Sequence, residues 1–159
     1  MKTVAPLAIL LLLANQPAWG ATAAGGSALA LAALVAEHSP LLNHHEKRVM
    51  ARMFDGHLNF TFPANTKISV TADSVVCRAS NVDITSRSCE LTFGTKKRSL
   101  KGGRAHELFA TVAEAGVPPD GAAGTIFESL SHLVCTIDPN EIKQRAGGGA
   151  SCQFDPGAP

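Results

Sequence analysis

Four cysteines, Cys77, Cys89, Cys135 and Cys152, constrain the fold of this chain most, because all of them lie beyond an N-terminal segment that reads as an export leader. In an oxidising compartment an even set of cysteines implies disulfides, here two bridges with three possible pairings. The pairing expected is Cys77 with Cys89 and Cys135 with Cys152, since each pair flanks one local turn unit. Each bridge closes a loop on the order of 15 residues, for which chain entropy gives roughly 3 kcal/mol. No C-x-x-C spacing occurs, so neither a thioredoxin-like redox site nor a zinc ribbon is suggested.

The leader covers residues 1–20. Met1-Lys2 is a short positive start, and Val4 to Ala14 is an apolar run, broken only by Pro6, of a length suited to a signal peptide rather than a membrane span. Asn15-Gln16-Pro17 interrupts the helix, and Ala18-Trp19-Gly20 places small residues where a signal peptidase reads them. Cleavage is expected before Ala21, with a cut near Ala23 or Ala24 as the alternative. A second apolar run, Ala28 to Ala36, is too short to span a bilayer and is expected to pack on the domain. The cleaved product is thus expected in the periplasm or outside the cell, without stable membrane insertion.

Length argues for one domain over 39–155, preceded by an Ala/Gly-rich linker and a loosely docked helix over 21–38 and followed by a tail over 156–159. Removing the leader takes away Lys2 and leaves thirteen basic against thirteen acidic residues, which disfavours a nucleic-acid partner. The only tryptophan, Trp19, is in the leader and tyrosine is absent, so sugar platforms, aromatic interface anchors and base-stacking surfaces are all disfavoured.

The pattern predicts an α+β fold, a small antiparallel meander with segregated helices stapled by the two disulfides. Ser39-Pro40 reads as a helix start, with Leu41, Leu42, His45, Val49, Met50, Met53 and Phe54 at helical spacing up to Asp55-Gly56. Strand periodicity follows at 57–62, then through Ile68 and Val70, Val75 to Ala79, and Cys89 to Phe93, with Ala72-Asp73 and Gly94-Thr95 as turns. Ala105, Leu108, Phe109, Val112 and Ala113 form one helical stripe over Arg104–Ala115, closed by Gly116-Val117-Pro118. Phe127, Ser129, Ser131, Leu133, Cys135 and Ile137 alternate as a strand, with a helical start at 125–130 as competitor. Asp138-Pro139-Asn140-Glu141 starts a short helix over 139–146, and Ala150 to Phe154 is a last strand. No internal repeat is evident.

No catalytic, cofactor or metal motif stands out. His38, His44 and His45 lie near Glu46, but helical neighbours His44 and His45 point about 100° apart and cannot chelate one ion unaided. Ser129, Ser131 and His132 offer a nucleophile and a base without an orienting acid or a G-x-S-x-G elbow. The leading local feature is a basic run, Lys96, Lys97, Arg98, Lys101 and Arg104, with Gly102-Gly103 entering the helix. It is read either as a solvated, edge-protecting face or as a contact for an anionic surface, polymer, lipid headgroup or acidic protein. The expected function is a non-enzymatic binding or inhibitor-like protein; an exported hydrolase and a structural envelope component are the alternatives. An enzyme should bring together two or more of His38, His44, His45, His132, Ser129, Asp120 and Glu107 in a cleft.

Overall fold

The structure is a computed structural model that describes residues 20–56, 61–80, 83–117, 120–122, 125–144 and 148–157. The leader residues 1–19, and 57–60 of the strand expected at 57–62, lie outside these; from Thr61 to Pro63 the chain is not strand.

The elements are β1 (Ala21–Ala24), α1 (Gly25–His38), α2 (His44–Phe54), β2 (Ile68–Ser80), β3 (Ser88–Phe93), β4 (Lys96–Lys101), α3 (Gly103–Glu114), β5 (Asp120–Ala122), β6 (Thr125–Ile137), α4 (Pro139–Gln144) and β7 (Ala150–Pro156). The strands form one antiparallel sheet in the order β1-β7-β6-β2-β3-β4, with β5 also paired to β6. A meander is present as β2-β3-β4, but its strands differ from those expected: β2 joins two of them, and β4 over Lys96–Lys101 is not among them. A second hairpin, β6-β7, joins it through the long β2/β6 ladder. Helices α1 and α3 cover one face, and α2 packs chiefly on α1. Leu31, Val35, Leu108 and Val112 meet Val75, Leu91, Leu130, Leu133 and Phe154 in the core. The other face is rich in Ser and Thr and is solvated, as an antiparallel sheet allows.

Both disulfides form as expected, Cys77–Cys89 across β2/β3 and Cys135–Cys152 across β6/β7, each joining residues directly opposite in the ladder. The α3 stop is also as read: Val117 N–H donates to Val112 O and Gly116 N–H to Ala113 O, with Gly116 at φ 87°.

Three readings are corrected. Residues 21–38 are neither linker nor loosely docked: Ala21–Ala24 is an edge strand on β7, and α1 buries Ala28, Leu29, Leu31, Ala32, Leu34, Val35 and Ala36. Small residues there allow close packing from several sides. The second helix starts later than Ser39-Pro40, at an Asn43/Glu46 capping box, and His45 is exposed rather than on its apolar stripe. Ala72-Asp73 is not a turn but the middle of a continuous β2.

The reason for the last error is a change of face within the strand. Inward residues of β2 are Val70 and Ala72, then Val75, Cys77 and Ala79; those of β6 are Glu128 and Leu130, then Leu133, Cys135 and Ile137. Both strands slip phase at the same level, beside His132 at φ 51° and the β6/β7 register shift between Ser131 and Val134.

That shared slip is part of a pseudo-twofold axis through the centre of the β2/β6 ladder. It exchanges β2-β3-β4-α3 with β6-β7-β1-α1, so the second unit is assembled from both ends of the chain. The registers agree: Cys89 opposes Leu100 as Cys152 opposes Ala23, and Leu91 opposes Arg98 as Phe154 opposes Ala21. A sulfur of each bridge lies 3.4 Å from a helix carbonyl, Cys89 Sγ at Ala105 and Cys152 Sγ at Ala28, which are equivalent residues. The sequences agree as well. Gly102/Gly25, Gly103/Gly26, Ala105/Ala28, Leu108/Leu31, Ala110/Ala33, Val112/Val35, Ala113/Ala36 and Glu114/Glu37 are identical pairs, eight of the fourteen aligned positions. Val75-Val76-Cys77 matches Leu133-Val134-Cys135, and Ser88-Cys89-Glu90 matches Ser151-Cys152-Gln153. An internal repeat therefore exists, but in permuted order, which hides it from a linear comparison.

Candidate functional site

The basic run is not a turn. Gly94-Thr95 makes a two-residue hairpin, and Lys96–Lys101 follows as β4, a solvent-exposed edge strand. Lys96 and Arg98 lie opposite the buried Phe93 and Leu91, so they project to the helix-covered side of the sheet margin. Lys97 and Lys101 lie opposite Thr92 and Ser88 on the open side. The five cations are not equivalent. Lys97 Nζ is 3.0 Å from Glu90, and Arg104 is held between Glu37 at 3.1 Å and Glu107 at 3.4 Å. Lys96, Arg98 and Lys101 form no ion pair among the described residues.

Helices α1, α2 and α3 border a groove of about 390 Å³, with Ala33, Leu34, Ala51 and Phe54 as apolar lining and Lys47, Arg104, Glu37, Glu107 and Asp55 as charged lining. The start of α3 has no acidic residue in its first turn and no side-chain cap, because Gly102 at φ 63° occupies the N-cap. His38 sits at the end of α1 near this groove. Burial lowers its pKa, and Arg104, Lys47 and Arg98 act in the same direction against Glu37.

The residues that would compose an active site stay apart. Among those whose side chains are described, Glu107 alone lines the groove; the side chain of Asp120 lies outside them. His44 and His45 are exposed on α2, and Glu46 is engaged in the helix cap. Among the described residues no group of three His, Cys, Asp or Glu side chains converges as metal ligands. His132 does acquire the acid that the sequence lacked, since Asp155 Oδ2 lies 3.0 Å from its Nδ1. That pair is exposed, and neither Ser129 nor Ser131 bonds to the ring.

One cluster escaped the sequence reading. Glu128 is 4% exposed on the inner face of β6, and its Oε2 has no hydrogen-bond partner. Burial pushes its carboxyl up to about 7, an effect partly offset by the charge of Arg87. The Arg87 guanidinium lies 4.8 Å from the centre of the Phe109 ring and approaches His106 Nδ1 through Nη1, while its buried Nε is unpartnered. The signal that would have found it is a lone Glu at an inward position, visible only once the face change in β6 is known.

Comparison of the chain with protein-family models, with curated proteins and with solved structures gave no match.

Proposed function

We propose that this chain is an exported, non-enzymatic binding protein of the periplasm or extracellular space, whose edge strand β4 contacts an anionic partner. The observation that carries the reading is that Lys96, Arg98 and Lys101, on both faces of one exposed edge strand, form no ion pair among the described residues. Lysines on an edge strand also oppose sheet-to-sheet aggregation, so the test must measure partner binding rather than oligomerisation. Retention on an anionic resin is expected to be salt-sensitive and to fall clearly in a Lys96→Glu/Lys101→Glu variant. Equal elution of variant and parent rejects the reading.

Export is supported by the four buried cysteines, all engaged in disulfides, and by the leader-like residues 1–20. No helix among the described residues is long and apolar enough to cross a membrane. The position of β1 favours one processing site. A cut before Ala21 leaves the strand whole, whereas a cut after Ala23 removes its buried Ala23 and its pairing with Cys152. Intact mass of the exported product is therefore expected to begin at Ala21, and a product retaining Met1 counts against export.

A further inference from the structure

The pseudo-twofold supplies an internal control on which positions the fold requires. Arg87, His106, Phe109 and Glu128 are equivalent to Ala150, Leu29, Ala32 and Val70, all of them apolar and buried. Each of these regions draws on both units; one is built from apolar residues alone, while its twin, formed by Arg87, α3 and β6, places an arginine, a histidine and a glutamate there. A buried, unpartnered polar group costs stability. A feature that the twin region omits and that burdens the fold points to a role outside folding.

We propose that Arg87, His106 and Glu128, backed by the Phe109 ring, form a binding site for a carboxylate group. Arg87 is presented for this rather than neutralised: the Phe109 face and His106 hold its guanidinium, and among the described residues no carboxylate lies within salt-bridge distance. A guanidinium matches the two oxygens of a carboxylate with parallel N–H donors, which an ammonium cannot do. Glu128 lies near enough for the charge of Arg87 to act on its carboxyl, and burial raises that carboxyl to about 7, so at lower pH it does not compete for Arg87 as an anion. His106 is exposed and Arg87 half-buried, so a ligand approaches from the α3 side. The site does not depend on β4 contacting a partner.

The test is an NMR titration of the full exported domain with sodium acetate at pH 6, following the Arg87 Nε–H and His106 ring signals, with sodium chloride and sodium phosphate at matched ionic strength. Acetate is expected to shift both signals saturably, with binding about tenfold weaker in Arg87→Lys, which keeps the charge and loses the fork. No saturable shift, or an equal response to chloride or phosphate, overturns the assignment. A second measurement separates site from scaffold. Glu128→Leu, which copies the apolar character of the equivalent Val70, is expected to leave the thermal midpoint at pH 8 unchanged or raised. A fall of more than about 5 °C would make the cluster a structural element and overturn the proposal. Lys96→Glu/Lys101→Glu is expected to retain acetate binding, so failure of the β4 reading and failure of this one are separately visible.

Discussion

Glu128 makes the most specific demand at the scale of single residues, because its ionisation is coupled to folding. Its carboxyl is raised to about 7 by burial, above the ordinary carboxylate value, so the folded chain holds the proton more tightly than the unfolded one. The sign follows directly: the contribution is fully present below the unfolded pKa and is lost as pH rises through the folded value. His38 titrates in an overlapping window with the opposite effect, since its lowered pKa favours the folded state as pH rises. The useful quantity is therefore the difference between Glu128→Leu and the parent. That difference in thermal midpoint is expected to grow in favour of the variant from pH 5 to pH 8; a pH-independent difference would show that Glu128 does not titrate on folding. Asp138 is a contrasting acid, partly buried but fully engaged, held below the usual carboxylate range by Lys67 and by the Glu141 and Asn140 amides it caps.

Among the elements, α1 and α3 are the informative pair. Both start at a glycine with positive φ, Gly25 at 68° and Gly102 at 63°, where the chain leaves an edge strand and turns back over the sheet. Both then direct a leucine, Leu31 or Leu108, fully into the core. Equivalent positions in equivalent packing should carry equivalent cost: Leu31→Ala and Leu108→Ala are each expected to destabilise by about 2–5 kcal/mol in urea unfolding, and by similar amounts. A negligible loss for Leu31→Ala alone would return α1 to the loosely docked role that its composition suggests. The α3 helix was legible because its polar and apolar faces differ. Helix α1 was underrated because it is apolar on most sides, a pattern that a one-sided stripe does not anticipate.

For the whole molecule, the permuted repeat predicts that the natural break between β7 and β1 is not required. Gly20 lies against the Phe154 carbonyl, so the two ends already meet. A chain joined from Gly157 to Ala21 by a short glycine-rich turn, in the manner of Gly94-Thr95 between β3 and β4, and opened at the exposed Ala64-Asn65 turn, is expected to keep both disulfides and the parent circular dichroism spectrum. Loss of either bridge in the purified permutant would argue that the twofold is a coincidence of packing. The sequence alone determined the α+β class, the α3 helix with its glycine stop and the basic run, and favoured the disulfide pairing found among three, because each depends on neighbours within about one turn unit or one helix. Tertiary structure decided which charges are spent in ion pairs, the place of residues 21–38 in the core, and the inward turn of Glu128. Those depend on strands far apart in sequence and on a mid-strand change of face, and a period-two reading carried through that point assigns Glu128, Ser129 and Leu130 to the wrong side.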